Sequence, residues 1–506
     1  MSSQLIRRLG FFAGPLIAVF IILFADLEPG KPAVTYTLAV AILMALWWMT
    51  EAVPLAVTSL LPIVLFPTLG IMNGKETSIS YINDVIFLFI GGFMVALAIQ
   101  RWGLHKRIAL RILRMTGSSP SRLLLGLMLA TTFVSMWINN TATTMMMLPI
   151  ALPIISKLEE INGEGLVRKF GIGILLSIAY CASIGGIATL VGTAPNLSFV
   201  RIFHIYFPGG PEIPFAGWFF YAFPITLLLF LFLYFYLRIL YIGKNKNWRS
   251  LSRREMEEDY LALGPMSFEE KALAAAFVAL VFLWFFRVDI PIGTWVIPGW
   301  SDLFGNPAFF NDGTVAIFVA VVLFLIPSRN EKGKFLMDWK TAEGIPWEII
   351  LLFGGGFALA SGFKESGLST WFGQQLEWLR GVHPFLIILC ISLLVTFLTE
   401  LTSNTATVET VLPIMAALAI AIETNPLLFM LPATISGSMA FMLPVATPPN
   451  AIVFGTRRLS VAEMARAGIF LNFYGVVVIS LITYFIAPLV FGIEEGVFPE
   501  WARGLK

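Results

Sequence analysis

Apolar runs separated by short polar stretches fill almost the whole chain. Eleven of these runs are interpreted as spanning helices, which need about 20 predominantly apolar residues each. They lie at 11–26, 33–50, 53–72, 84–100, 169–191, 217–242, 269–287, 312–327, 344–363, 427–445 and 463–489. The pattern therefore predicts an all-α polytopic membrane protein.

Two further apolar stretches are each interrupted by polar residues near their middle. Their arms are predicted at 120–138 and 142–157, and at 385–401 and 406–422. Arms of this length are typical of segments that enter the bilayer and turn back. We therefore predict two re-entrant hairpins, with polar tips at Ser135–Thr143 and Thr399–Thr407.

The two tips belong to an internal repeat with a constant spacing. Asn140 pairs with Asn404 (404 − 140 = 264), and Pro149 pairs with Pro413 at the same spacing. Two glycine motifs repeat in the same register, Gly91-Gly92 with Gly355-Gly356 and Gly103-Leu104 with Gly367-Leu368. Five predicted spans and a linker separate the hairpins, which places them on opposite sides of the membrane. This is the pattern of an inverted-topology repeat that binds its ligand at the midplane.

Composition and charge narrow the class of protein. The 506 residues are 58% hydrophobic and only 13% charged, against about 25% charged in a soluble protein. A net charge of +2 gives no sign of nucleic-acid binding. Most Lys and Arg residues fall on one predicted side, which indicates a cytoplasmic N-terminus and an external C-terminal tail.

Each tip ends in a pair of residues that precedes the second arm, Asn140-Thr141 and Asn404-Thr405. Asn and Thr are good helix N-caps, so helix termination alone is one interpretation of these pairs. A binding role is the other, because helix N-termini offer free N–H groups and about half a positive charge each. Both tips add further oxygen atoms, and each lies beside a Pro-containing helix break, at 192–196 and 446–450.

The tips provide too little positive charge for a dianion on their own. We place no Lys, Arg, Asp or Glu at mid-depth, although the pattern does not fix the depth of Glu400 and Glu409. Two half-charges cancel about one unit of negative charge, so bound monovalent cations would have to remove the rest. Hydroxyl, amide and carbonyl oxygens suit Na⁺, whereas proton coupling would call for an Asp, Glu or His within the membrane.

Three motifs together resemble the divalent anion/sodium symporter family, the dicarboxylate and citrate carriers of the INDY type. They are the paired Asn-Thr tips, the Thr-Pro-Pro-Asn sequence at Thr447–Asn450, and Trp48–Pro54 early in the chain. The resemblance covers nearly the whole chain. It implies a homodimer in which each protomer has a scaffold domain and a transport domain that moves like an elevator.

The resemblance also implies roles for individual residues. The substrate carboxylates would contact Asn140, Thr141, Asn404, Thr405, Thr447 and Pro449. One sodium site would use Ser135, Asn139, Asn140 and the Gly192 carbonyl, and the other would use Thr399, Asn404 and the carbonyls of Thr402 and Ala446. The family has Ser where this chain has Asn139, and Thr193–Asn196 reads Thr-Ala-Pro-Asn rather than Thr-Pro-Pro-Asn. These departures leave the sodium stoichiometry and the exchange mode open.

The repeat and the resemblance together divide the chain into six segments. Scaffold helices of the two repeats are assigned to 1–100 and 269–363, and the arm, hairpin and broken helix of each repeat to 101–242 and 364–489, the last including the final span. A cytoplasmic linker at 243–268 joins the halves, and residues 490–506 form an external tail.

The predicted function is sodium-coupled import of C4-dicarboxylates such as succinate, malate or fumarate across the plasma (inner) membrane. Sodium is the coupling ion, and no organic cofactor is expected. Membrane lipid, the dicarboxylate and a second copy of the chain are the expected partners. A sodium-independent dicarboxylate exchanger and a carrier of citrate or sulfate remain alternatives. A channel fits a fixed-site inverted repeat less well. An intramembrane enzyme would need an acid, base or metal cluster that the chain does not offer.

Overall fold

A computed structural model describes residues 3–242, 260–292 and 295–505. The helices of the first half are Ser3–Phe24, Pro32–Thr50, Leu55–Thr58, Leu61–Thr68, Gly74–Ile79, Asp84–Arg101, Leu104–Thr116, Pro120–Ser135, Asn140–Asn162, Glu164–Ile187, Ala194–Tyr206 and Phe215–Leu237, the last followed by a π-helical turn at Arg238–Ile242. Most of the predicted linker at 243–268 lies outside the described residues.

The second half repeats this order of elements. Its helices are Phe268–Phe285, Asp312–Leu325, Trp339–Ala342, Trp347–Ser366, Leu368–Leu376, Pro384–Thr399, Asn404–Ala421, Leu427–Ser436, Pro448–Phe454, Val461–Phe485 and Ala487–Phe491. Short 3₁₀ turns occur at Trp300–Leu303, Pro307–Phe309, Glu377–Leu379 and Glu500–Leu505. Two short strands, Ile290–Ile292 and Trp295–Ile297, pair in an antiparallel manner between the first two of these helices.

The described part of the chain has nine helices that are long and apolar enough to cross a membrane. Two of them are the second arms of the hairpins, Asn140–Asn162 and Asn404–Ala421. The other seven match predicted spans. The remaining four predicted spans correspond to shorter or more charged helices, at Leu55–Thr68, Asp312–Leu325, Leu427–Ser436 and Phe268–Phe285. The predicted all-α polytopic fold is therefore confirmed.

Two predicted spans differ from the observed helices. The span at 53–72 is interrupted after Thr58, because Pro62 has no N–H to donate to the Thr58 carbonyl and so breaks the helical ladder. The span predicted to reach 445 ends at Ser436, and the chain is unwound from there to Thr447. Three amide groups of this unwound segment, those of Phe441, Met442 and Leu443, bind a carboxylate, as described below.

Each hairpin packs against a broken helix from its own half and one from the other half. Glu164–Ile187 packs against both arms of the first hairpin, Pro120–Ser135 and Asn140–Asn162. Pro448–Phe454, from the second half, also packs against Asn140–Asn162, while Ala194–Tyr206 packs against Asn404–Ala421. This crosswise packing interlocks the two halves around the hairpins.

The repeated glycines allow close helix contact. A Cβ atom on Gly91 would lie 2.6 Å from the carbonyl carbon of Ala316, and one on Gly355 would lie 2.5 Å from the Ser59 carbonyl oxygen. Real side chains do not tolerate such distances, so both positions need glycine. The two glycines thus have the same packing function in the two halves.

Buried ion pairs also join the halves. Arg107, in the first half, donates from Nε to Glu270 Oε1 at 2.7 Å, with little of either side chain exposed. At a second place Arg287 Nε donates to Asp312 Oδ1 at 2.6 Å, and the same guanidinium also pairs with Glu212. Removing one partner of such a pair would leave a buried charge, which costs about 3–5 kcal/mol.

Candidate functional site

The tip of the first hairpin is the turn between Pro120–Ser135 and Asn140–Asn162. Asn139 caps the second arm, its Oδ1 accepting a hydrogen bond from the Ala142 amide at 2.7 Å. The buried Ser135 hydroxyl lies 2.9 Å from Asn140 Oδ1 and 2.6 Å from the Ala182 carbonyl oxygen. The Ser135 oxygen therefore joins the tip to the helix Glu164–Ile187.

The tip of the second hairpin has the same arrangement. The buried Thr399 hydroxyl lies 2.7 Å from Asn404 Oδ1 and 2.8 Å from the Gly437 carbonyl oxygen. Thr399 follows Ser135 at the repeat spacing (399 − 135 = 264), as Asn404 follows Asn140. The repeat seen in the sequence is thus a repeat of hydrogen-bonding geometry.

At each tip a hydroxyl oxygen lies beside a side-chain amide oxygen and a backbone carbonyl oxygen, and the hydroxyl group has one hydrogen to donate to these two acceptors. A hydroxyl group has one proton, so at any moment Ser135 satisfies either Asn140 or Ala182, and Thr399 satisfies either Asn404 or Gly437. Clusters of hydroxyl, amide and carbonyl oxygens are the ligands that hard cations prefer. Each tip therefore fits a small monovalent cation such as Na⁺.

The two helix breaks are held by equivalent asparagines. Asn196 Nδ2 donates to the carbonyls of Gly186 and Thr189, at 3.2 and 2.7 Å. Asn450 Nδ2 donates to the carbonyls of Ala440 and Leu443, at 3.1 and 3.0 Å. Donors and acceptors all follow a second spacing (450 − 196 = 254), because the connection from hairpin to break is ten residues shorter in the second half.

The same asparagines each present an unused oxygen. Asn196 and Asn450 are fully buried, and among the described residues neither Oδ1 has a hydrogen-bond partner. A buried amide oxygen without a partner is costly, so each of these atoms is suited to a bound water or cation. Sequence reasoning assigned no role to either residue, although the 254-residue spacing was available as a signal.

The other residues predicted to bind sodium or the substrate also lie at the tips and helix breaks, and their hydrogen-bond partners differ. Thr402 shares a hydrogen bond with Thr407 rather than with Thr399 or Asn404. Thr447 Oγ1 accepts a hydrogen bond from the Asn450 amide at 3.3 Å and caps the helix Pro448–Phe454, and Pro449 and Ala446 beside it are buried.

In the first break, the Gly192 amide donates to Thr189 Oγ1 at 3.1 Å. Thr141 is half-buried and Thr405 is buried at the starts of the two second arms.

Glu400, whose depth the sequence pattern left open, is an acidic side chain at the second tip. Its carboxylate is buried directly after Thr399, and it accepts hydrogen bonds from the amides of Phe441, Met442 and Leu443 at 2.7–3.2 Å. The Asn472 amide group adds a fourth donor at 2.7 Å. These bonds hold residues 441–443, which follow the helix from Leu427, in an unwound conformation. The equivalent first-half residue is Met136, so sequence symmetry gave no sign of this role.

Replacing Gly186 by alanine is expected to impair the first tip without harming the fold. A Cβ atom there would lie 2.4 Å from Asn140 Oδ1, so Asn140 must move away from Ser135. We expect an apparent sodium affinity lower by about tenfold, the effect of one lost contact of about 1.4 kcal/mol. Sodium-dependent binding or uptake by the purified protein measures this.

Gly165→Ala is the matched control for this substitution. It lies on the same helix, is exposed, and its added Cβ would meet no atom within 4 Å. Both substitutions should raise helix propensity by up to about 1 kcal/mol. Equal sodium affinities in the two variants would contradict a role for the Asn140 position.

Solved structures of two transporters share this fold. The chain resembles the YdaH transporter of Alcanivorax borkumensis with a TM-score of 0.56 and 14% identity, covering 84% of this chain and 88% of that one. It also resembles MtrF of Neisseria gonorrhoeae, described as one of a class of antimetabolite efflux pumps, with a TM-score of 0.55, 14% identity and coverages of 96% and 99%. At this identity the likeness concerns the fold alone.

Sequence relatives are much more similar. The chain is 42% identical over 499 residues to the sodium-dependent dicarboxylate transporter SdcS of Staphylococcus saprophyticus, covering 96% of this chain and 93% of the relative. It is 41% identical over 497 residues to SdcS of Staphylococcus aureus strain MRSA252, with coverages of 96% and 92%. Residues 9–492 match the model of the sodium:sulfate symporter transmembrane region. The protein therefore belongs to the sodium:sulfate symporter family, the divalent anion/sodium symporters whose motifs its sequence resembles.

Proposed function

We propose that the protein is a secondary active transporter that imports C4-dicarboxylates, such as succinate, malate or fumarate, together with sodium ions. The observation that carries this proposal is the duplicated tip, where Ser135 and Asn140 in one half match Thr399 and Asn404 in the other. Two relatives more than 40% identical are named sodium-dependent dicarboxylate transporters, which supports a transporter rather than an enzyme.

The tips supply the groups that a dicarboxylate needs. Helices Asn140–Asn162 and Asn404–Ala421 begin at the tips, so the amides of their first two residues have no partner within the helix and can bind an anion, although the Ala142 amide is already bonded to Asn139. We assign the two substrate carboxylates to Asn140, Thr141, Asn404 and Thr405, with Thr447 and Pro449 beside them. Two ends of one molecule would then meet two equivalent sites, which favours a dicarboxylate over a monocarboxylate.

Sodium supplies the positive charge that the tips lack. The dianion brings two negative charges, and the Glu400 carboxylate beside the second tip adds another. We assign one sodium ion to Ser135, Asn139, Asn140 and the Gly192 carbonyl. A second is assigned to Thr399, Asn404 and the carbonyls of Thr402 and Ala446. The oxygen clusters at Ser135 and Thr399 support both assignments.

An elevator motion fits the way in which the hairpins are packed. In this proposal residues 101–242 and 364–489 form a transport domain that moves against scaffold helices at 1–100 and 269–363. Crosswise packing of the hairpins and broken helices supports one moving unit made from both halves. We further propose a homodimer in the plasma (inner) membrane, with a cytoplasmic N-terminus and an external tail at 490–506.

Uptake of labelled succinate into proteoliposomes tests the function. An inward sodium gradient is expected to drive accumulation, whereas an equal choline gradient should not, because choline cannot occupy the oxygen clusters at the tips. Uptake that is equal in sodium and in choline would overturn sodium coupling. Competition by unlabelled citrate and sulfate distinguishes the dicarboxylate from the other candidate anions.

A sodium-independent dicarboxylate exchanger is the second candidate. The observation that favours it is Asn139, whose side-chain oxygen is engaged in capping the second arm through Ala142. This bond leaves fewer free oxygen atoms for sodium at the first tip. Vesicles preloaded with succinate would then take up labelled succinate without any sodium gradient, and empty vesicles would not.

A further inference from the structure

Glu409 is a buried carboxyl group outside the proposed substrate and sodium sites. It lies in the second arm of the second hairpin, Asn404–Ala421, and none of its surface is exposed. Its Oε1 accepts a hydrogen bond from the Ser198 hydroxyl at 2.9 Å. Its Oε2 is buried and has no partner among the residues that the structure describes.

The atom without a partner, Glu409 Oε2, packs closely against Gly356. A Cβ atom on Gly356 would lie 2.3 Å from both Cδ and Oε2 of Glu409. The carboxyl group is thus held between Ala194–Tyr206, which carries Ser198, and Trp347–Ser366, which carries Gly356. Elsewhere on that helix, Gly354 contacts Tyr81 in a similarly close manner. This position is where the second hairpin meets a helix assigned to the scaffold.

The arginine and lysine side chains on the surrounding helices are engaged elsewhere. Arg201 pairs with Asp84 at 3.8 Å, and Lys364 donates to the Ile205 carbonyl at 2.6 Å. Leu368–Leu376 and Leu427–Ser436, which also pack against the second arm, carry no charged residue. The remaining titratable residues on the helices packed there are Tyr36, His204, Tyr206, Glu348, Glu365 and Cys390.

Tyr81 is the titratable side chain that faces Glu409. The Tyr81 hydroxyl donates its hydrogen bond to the Ser59 carbonyl at 2.5 Å rather than to the carboxyl group. No described cation balances a charge on Glu409. An ionised carboxylate in such surroundings loses its hydration without gaining an ion pair, and a group in that position takes up a proton instead.

The carboxyl group is a feature of the second half alone. At the repeat spacing its counterpart is Met145 (409 − 145 = 264), which is 58% exposed. An apolar residue occupies the equivalent place in the first hairpin, so the helical arm itself does not require a carboxyl group there. A carboxyl group that is buried between two packed helices without an ion pair is therefore expected to bind a ligand.

We propose that Glu409 is a proton-binding site, and that the second hairpin moves along the Gly356 face with this side chain as a neutral carboxylic acid. The role of this proton in transport rests on the elevator motion proposed above, because the side chain moves along Gly356 only if the second hairpin moves. A neutral carboxylic acid can move along a helix surface from which water is excluded, whereas an ionised carboxylate could not do so without water or a cation. The proton on Oε2 removes the negative charge from the carboxyl group, while Oε1 keeps its hydrogen bond from Ser198.

Infrared spectroscopy of the purified full-length protein in lipid tests proton occupancy without any transport assay. At neutral pH we expect a carbonyl stretch of a protonated carboxylic acid, which is lost in Glu409→Gln and kept in Glu377→Gln, a change at an exposed glutamate. Absence of this band in the wild type, or its persistence in Glu409→Gln, would overturn the proposal. Failure of the succinate assay would leave this result intact.

Transport by the Glu409→Gln variant tests whether the neutral form is the one that moves. Glutamine has the shape of a protonated glutamate, so sodium-driven succinate uptake should stay within about twofold of the wild type. A loss of about tenfold or more in a variant with a normal elution profile would mean that the negative charge is needed, and would refute the neutral form.

Discussion

Replacing Asn404 by alanine is expected to abolish succinate uptake while the protein still folds. Its Oδ1 contacts the Thr399 hydroxyl at 2.7 Å, and the residue is proposed to bind both a substrate carboxylate and a sodium ion. Two lost contacts to charged groups, each worth about 1.5–3 kcal/mol, predict a loss of at least about 100-fold. Initial rates in proteoliposomes measure this effect.

Thr410→Ala provides the matched control on the same helix. Its hydroxyl donates only to the carbonyl of its own helix, at Ala406 and 2.8 Å, so its removal should leave uptake close to that of the wild type. Both variants should elute from a sizing column as the wild type does. Substantial uptake by Asn404→Ala would take the second tip out of the binding site.

Replacing Glu400 by glutamine is expected to destabilise the second helix break. The carboxylate can only accept hydrogen bonds, and it accepts them from three backbone amides and from the Asn472 side chain. A glutamine NH₂ group would place a donor against these donors and remove the charge. We expect a loss of about 3 kcal/mol in stability, the lower end for a broken buried charge network. A lower midpoint of thermal unfolding in detergent measures the change.

The same variant should also transport poorly. The amides of Phe441–Leu443 hold the unwound segment that leads to Ala446 and Thr447, both proposed to line the site. Misplacing this segment should lower uptake by tenfold or more, since a loss of about 1.4 kcal/mol suffices. The exposed Glu377→Gln change should affect neither stability nor uptake. An unchanged unfolding midpoint in Glu400→Gln would refute the role given to the carboxylate.

Much of the fold could be predicted from the sequence because hydropathy and helix signals agree. The second arms begin at Asn140 and Asn404, two residues before the predicted starts at 142 and 406, and each follows a polar tip and precedes a long apolar run. Helix length was less predictable. The helix from Leu427, predicted to reach 445, ends at Ser436. The amides of the unwound Phe441–Leu443 are bound by Glu400, which is distant in sequence. A hydropathy pattern contains no information about such a partner.

The site could be predicted only as far as side chains define it. The pairing of Ser135 with Asn140 and of Thr399 with Asn404 joins residues that were already singled out. Their other neighbour is a backbone carbonyl, at Ala182 or Gly437, and any residue type can supply one. The burial of Glu409 depends on where Gly356 packs, so its depth could not be judged from its own segment.

The crosswise packing sets the timing of biosynthesis. Ala194–Tyr206 packs against Asn404–Ala421, a partner that the ribosome makes about 200 residues later (404 − 206 = 198). At about 5–20 residues per second, this helix waits on the order of 10–40 s for its neighbour. During that interval the nascent first half carries a polar tip in the membrane with its final neighbours still missing. Completion of the chain, rather than insertion of its first half, therefore produces the folded carrier.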